Sequence, residues 1–151
     1  TKIETGKEED TKARKALVGE AYFMRALSYF YLVRIFGDVP FYLVNEDASD
    51  RMPRTAVADI YENGIIPNLK EAISLLPAAS RAGNSSRPSK WAAEACLSEV
   101  YLTMAGWPLK KGQDYYAKAA ETALNIINNS GLSLTPNYPD LWKEELKKQS
   151  N

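Results

Sequence analysis

Residues 19–42 read GEAYFMRALSYFYLVRIFGDVPFY, and this stretch decides the fold. Its first part is rich in Ala, Leu, Met and aromatic residues and holds no proline, a composition that sustains a helix. Apolar side chains run almost all the way round that helix, so other helices must cover it. The stop is abrupt. Gly37 suits the left-handed backbone that ends helices, and Pro40 cannot continue one. Working back, the helix reaches to about Lys12, behind a polar lead at residues 1–11 expected to be flexible. Leu17, Met24, Leu27, Tyr31 and Ile35 fall at three-to-four spacing and are expected to form its core stripe. Tyr22, Phe23, Tyr29, Phe30 and Leu32 widen the stripe, while Ala16, Gly19 and Ala26 permit close helix contact.

Working forward, residues 37–54 form a connector, with Asp38 placed to satisfy nearby backbone amides. Thr55 is the expected N-cap of a second helix, Ala56 to Leu76, whose apolar face is Ile60, Ile65, Ile66, Leu69, Ile73 and Leu76. Pro67 removes a helix hydrogen bond and should kink or divide that helix near Gly64. A loop around Gly83-Asn84 leads to Ser89, the expected cap of a third helix, Lys90 to about Ala105, with core face Ala93, Leu97, Val100, Tyr101 and Met104. Asp114 is the expected cap of a fourth helix, about Tyr115 to Asn128, with face Tyr116, Ala119, Ala120, Ala123 and Ile127. Asn129-Ser130-Gly131 ends it, and Asp140–Lys148 has room for a last helical turn or two. No stretch alternates long enough for a sheet. The reading is all-α: four main helices in two tetratricopeptide-like hairpins, one helical domain over residues 12–148 with a short tail at 149–151.

Composition bounds the chemistry. The 151 residues suit one domain, and nineteen basic residues balance nineteen acidic ones. Zero net charge gives no general attraction to nucleic acid or anionic lipid. The chain has no histidine, which removes the commonest general base and the commonest zinc ligand. Cys96 is the single cysteine, so no internal disulfide forms; its small and apolar neighbours point to a buried, inert thiol. No run reaches the length of a membrane helix. The chain opens on Thr1-Lys2-Ile3-Glu4, without a signal peptide or lipid-attachment cysteine, and is expected to be a piece of a longer protein.

No catalytic constellation is legible. Glu94/Glu99, Glu144/Glu145 and Asp47/Asp50 lie near each other in sequence with nothing to bury and tune them, so solvated charge is expected. Gly83-Asn84 is not followed by the residues of a phosphate cradle. Arg25 and Arg34 interrupt the most apolar helix; each is either a ligand ion-pair or a packed stem paired with a carboxylate such as Glu20 or Asp38. Aromatic residues make up 11% of the chain. Exposed aromatic faces in loops can meet a ligand, and Trp107, Tyr115 and Tyr42 sit in or beside loops, which makes them the candidate ligand-binding residues. The alternative is that each plugs a helix end. Trp91 and Trp142 are expected to pack.

Four segments in order resemble the SusD/RagB family of nutrient-binding outer-membrane lipoproteins. They are GEAYFMRALSYFYLVRIFGDVPFY, PRTAVADIYENGIIPNLKEAISLLP, SSRPSKWAAEACLSEVYLTMAG and YYAKAAETALNIINNSGLSLTPNYPDLW, spanning about Ala16 to Trp142. Asn68 departs from the acidic residue common before the leucine of the second segment. The resemblance implies a non-catalytic protein at the surface of a Bacteroidetes-type cell. It would capture oligosaccharide, or peptide in RagB-like members, and lid a TonB-dependent, SusC-like transporter. Attachment to the membrane would be through a lipid anchor outside this chain. No cofactor and no metal are implied, and neither is nucleic acid. A generic helical interaction module, with an exposed groove and no sugar affinity, is a second reading, and an enzyme, which the missing histidine and unclustered carboxylates argue against, is a third.

Overall fold

The computed structural model describes residues 8–43, 52–79, 87–134 and 136–142. Asp47, Asp50, Gly83, Asn84, Glu144 and Glu145 lie outside the described residues, as do the start of the polar lead and the tail. Helix α1 spans Glu8–Phe36, beginning sooner than Lys12. Then come α2, Val57–Ile60, a π-helical turn, Tyr61–Ile65, and α3, Ile66–Leu75. Helices α4, Lys90–Ala105, and α5, Gln113–Asn129, follow, and a 3-10 turn covers Tyr138–Trp142. The described residues are all-α, with one isolated antiparallel bridge between Val39 and Thr55.

Local chemistry sets most of these boundaries. Gly37 ends α1 at φ +71°, its N–H donating to the Val33 carbonyl at 3.1 Å. Pro67 has the expected effect. With no N–H at Pro67, the preceding turn widens, and Ile66 N–H reaches back to the Tyr61 carbonyl to close the π-helical turn. Ser89 caps α4 by accepting from Ala92 N–H at 3.3 Å. Two expected caps are replaced. The N-cap of the second helix is Ala56 rather than Thr55, and Asp38 Oδ1 supplies the missing acceptor to Val57 N–H at 2.9 Å. Thr55 is drawn instead into the bridge with Val39, its N–H donating at 2.9 Å. The N-cap of α5 is Gly112 at φ +72°, and Asp114 sits in the first turn, where its charge faces the positive helix end.

The helices pair antiparallel. Along α1 and the α2–α3 rod, Gly19 lies beside Leu75 and Leu76, Arg25 bonds Asn68, and Phe30 packs edge-on to Tyr61. Along α4 and α5, Glu94 meets Asn125, Ser98 meets Ala119, and Tyr101 packs edge-on to Tyr115. Helix α3 lies between α1 and α4, so the order across the layers is α1, α3, α4, α5. Phe30, Ile60, Ile65, Leu69, Val100 and Met104 are fully buried at the centre.

The buried face of α1 is not the expected one. Leu17, Met24, Tyr31 and Ile35 are exposed, Ile35 to 69%, and Leu27 is only half-buried. The inner face is Ala16, Gly19, Phe23, Ala26, Phe30 and Val33, a second stripe of three-to-four spacing on the opposite side of the helix. Small residues win because they let the backbones of α1 and α3 approach. A Cβ on Gly19 would lie 3.0 Å from Leu75 Cβ and from Leu76 Cγ, and 3.2 Å from the Leu76 backbone nitrogen. The face of α5 is also corrected. Ala119 is buried and Ala123 half-buried, but Tyr116, Ala120 and Ile127 point outward, because among the described residues α4 covers only one side of this helix.

Gly19→Val should lower the unfolding free energy by about 1–3 kcal/mol through overpacking, against a few tenths at exposed Ala21→Val. Urea titration of both variants measures the difference; equal effects would mean α1 and α3 are not in close contact.

A buried polar pair offers a second test. Arg25 donates to the Leu43 carbonyl at 3.0 Å and to Asn68 Oδ1, yet Arg25 Nε and Asn68 Nδ2 are buried donors with no acceptor. Asn68→Asp replaces one orphan donor by an acceptor and turns the bond to Arg25 into an ion pair. The half-buried guanidinium is already present, so attraction should outweigh carboxylate desolvation and stability should rise by about 1 kcal/mol. A lower denaturation midpoint for Asn68→Asp would show that desolvation wins.

Candidate functional site

One end of the molecule gathers the C-terminus of α1, the N-terminus of α2 and the α4–α5 connector. The connector folds back over the last turn of α4. Lys111 N–H donates to the Met104 carbonyl at 3.0 Å and Gly112 N–H to the Ala105 carbonyl at 3.1 Å, satisfying groups the helix end leaves open. Between these elements lies a groove of about 470 Å³. Val33 and Arg34 of α1, Tyr61, Thr103 of α4 and the connector residues Trp107 and Leu109 contribute to its walls.

Trp107 is the most open of the three candidate aromatics, with 77% of its surface exposed. Lys110 Nζ stands 4.7 Å from its ring centroid. Arg34 faces the same groove with its guanidinium 4.9 Å from the Phe30 ring centroid and bonded to Glu99 at 3.1 Å. Its partner is thus Glu99, not Glu20 or Asp38. Arg25 likewise pairs with Asn68 and a backbone carbonyl, while Glu20 takes Arg87 and Asp38 takes a backbone amide. Burial pushes the Tyr61 hydroxyl up to about 12, with Arg34 opposing the shift.

Tyr115 and Tyr42 are held by different neighbours. Tyr115 donates to Glu62 Oε1 at 2.6 Å, and Lys111 Nζ lies 3.5 Å from the same oxygen. That hydrogen bond, reinforced by burial, raises the phenol to about 12. Lys118 Nζ sits 4.1 Å from the Tyr115 ring centroid and Tyr101 packs against it edge-on, so this ring is already engaged. Tyr42 is half-buried on the segment after Pro40, its N–H donating to Tyr29 Oη at 2.9 Å. That segment is fixed by Phe41, which packs edge-on to Tyr29 and over Gly64, where an added Cβ would lie 2.5 Å from the ring. Trp91 is half-buried beside Lys90, but Trp142 is 70% exposed and meets Tyr138 edge-on.

The carboxylates divide. Glu99 is exposed and paired with Arg34. Glu94 is not solvated as expected: it is 9% exposed, accepts from Asn125 Nδ2 and leaves Oε2 without a donor. Its neighbours Ala93 and Leu97 in the apolar stripe were the available signal. Cys96 is buried, and burial followed by the charge of Glu99 raises its thiol to about 11. Among the described residues no helix is long and apolar enough to cross a membrane.

Residues 1–102 match a SusD-like family described as starch-binding and associating with the outer membrane. This chain belongs to the SusD-like family. SusD-like protein P2 of Formosa agariphila is 39% identical over 142 residues, covering 89% of this chain and 25% of that protein. A SusD-like protein of Bacteroides ovatus is 35% identical over 135 residues, covering 87% and 24%. The chain thus spans about a quarter of the length of the relatives it matches. Among solved structures, a SusD superfamily protein from Parabacteroides distasonis is 42% identical with a TM-score of 0.74, over 82% of this chain and 26% of that one. Another, solved with a xylogluco-oligosaccharide, is 33% identical with a TM-score of 0.78, over 97% and 29%. The resemblance to SusD-like proteins therefore holds.

With its pKa near 11, the Cys96 thiol should be inert to a disulfide reagent at pH 8 in the folded chain. One equivalent should react after unfolding in urea. Rapid reaction under native conditions would contradict the burial of the α4 face.

Proposed function

We propose that the protein containing this SusD-like chain captures oligosaccharides at the cell surface, without chemical conversion, for import through a TonB-dependent, SusC-like transporter. Membership of a family described as starch-binding carries this reading, and the relative solved with a xylogluco-oligosaccharide supports the ligand class. The chain would serve as helical scaffold, with membrane attachment by a lipid anchor elsewhere in the protein. Trp107 is the residue of this chain we assign to ligand contact. It is 77% exposed with Lys110 over its ring, the groove beside it carries Thr103 and the Glu99-paired Arg34, and an indole face suits the apolar face of a sugar ring. Tyr115 and Tyr42 are secondary candidates, because both are only half-exposed.

One aromatic stack contributes about 1 kcal/mol, against the roughly 4 kcal/mol that even a millimolar complex requires. The 151-residue chain alone should therefore bind oligosaccharide more weakly than millimolar. The full-length protein should bind a member of a glycan panel in titration calorimetry, and Trp107→Ala in it should weaken binding roughly five- to tenfold. Binding of a peptide pool in place of any glycan would favour a RagB-like peptide carrier. Failure of the full-length protein to bind either class, or to co-purify with a transporter, would leave a generic interaction module.

A further inference from the structure

Trp107 and Lys110 ride on one fixed turn. Lys110 N–H donates to the Gly106 carbonyl at 2.6 Å, and the next two amides close on the Met104 and Ala105 carbonyls. Lys110 itself stands at φ +52°, in the left-handed region that a lysine enters at a cost. Its stem returns over the indole, with Nζ 4.7 Å from the ring centroid. Among the described residues no carboxylate pairs with that ammonium. The described walls of the groove hold one charged side chain, Arg34, and no carboxylate. Arg34 commits Nη1 to Glu99, a half-exposed partner, and its other donors have none among the described residues. The neighbouring carboxylates are engaged elsewhere: Asp38 accepts from Val57 N–H, and Glu62 is shared by Tyr115 and Lys111.

We infer that this ledge selects saccharides whose rings carry an anionic group, a carboxylate or a sulfate ester. The inference rests on oligosaccharide capture at Trp107 and names the class of sugar captured. The reason is competition for the indole face. A neutral sugar that stacks on the face Lys110 occupies must push the ammonium off the ring, and the cation–π contact is lost without replacement. A sugar bearing an anionic oxygen exchanges that contact for a charge-assisted hydrogen bond to the same ammonium. The uncommitted donors of Arg34 add a second attraction of the same sign within the groove. Lys110 is then an obstacle to neutral rings and a partner for acidic ones.

Matched saccharide pairs test it in the full-length protein. One pair is a uronic-acid oligosaccharide and its carboxyl-reduced form; the other is a sulfated oligosaccharide and its desulfated form. In titration calorimetry at low ionic strength, the acidic member of at least one pair should bind roughly three- to tenfold more tightly than its neutral counterpart, the scale of one or two exposed charge contacts. The ratio should shrink towards unity in about 1 M salt, where the Debye length is about 3 Å. Lys110→Gln should cut the ratio by roughly threefold, and Lys110→Arg should keep it. The pair that shows the preference tells carboxylate from sulfate. Equal affinity within both pairs, or binding of neutral glycans alone, would overturn the inference and leave oligosaccharide capture standing. A preference that survives Lys110→Gln would also overturn it and place the charge reader elsewhere in the protein. So would loss of the ratio in Lys110→Arg as well, since shape and not charge would then be at work. Failure of every glycan, acidic or neutral, would bring down capture itself, and the inference with it.

Discussion

The close approach of α1 to α3 is the constraint on which the rest of the structure depends. At Gly19 the two backbones come so near that a methyl group would lie 3.0 Å from Leu75 and Leu76. Ala16 and Ala26 extend the same thin contact surface, and Phe30 fills the wider space near the π-helical turn. Because α3 is thereby held against α1, its far side is presented to α4, and α4 in turn receives α5. The widened turn at Tyr61–Ile65 belongs to the same arrangement. It absorbs the hydrogen bond that Pro67 cannot make while keeping Tyr61, Gly64 and Ile65 buried.

The candidate groove follows from where these helices stop. Gly37 ends α1, Asp38 caps α2 from the neighbouring turn, and the α4–α5 connector seals the end of α4 with its own amides. Three backbone terminations thus meet, and the side chains left at the meeting point are Arg34, Tyr61, Thr103 and Trp107. Arg34 is held by Glu99 and Phe30, and Trp107, with Lys110 over its ring, is the most exposed of these side chains. Such a site is a partly aromatic ledge beside a paired guanidinium.

Several elements were legible because their causes are local. Pro67 dictates a break wherever its helix packs, Gly37 and Ser89 act on the residues beside them, and the expected apolar stripes of α3 and α4 are buried apart from half-buried Ile73. Caps that depend on a distant partner were not legible. Thr55 lost its expected role to Asp38, seventeen residues earlier, once Val39 and Thr55 paired. Of the candidate site, Trp107 could be named from its place between helices. The engagement of Tyr115 by Glu62 and Lys118 could not, since it needs α5 folded against the π-helical turn. Glu94 was misread for a related reason: a carboxylate shows its burial only when Asn125 is brought across from the next helix.

By itself, the sequence determined an all-α chain of four main helices in two hairpins, where each helix ends, and a four-segment pattern shared with SusD-like proteins. Spacing, capping and proline fix these, and all three act over a few residues. Only the tertiary structure decided which side of α1 faces inward. Both sides carry apolar residues at helical spacing, so periodicity gives no preference between them. Shape breaks the tie. Gly19 and the alanines give a surface thin enough for α3 to reach van der Waals contact, and Leu17, Met24, Tyr31 and Ile35 would hold it away.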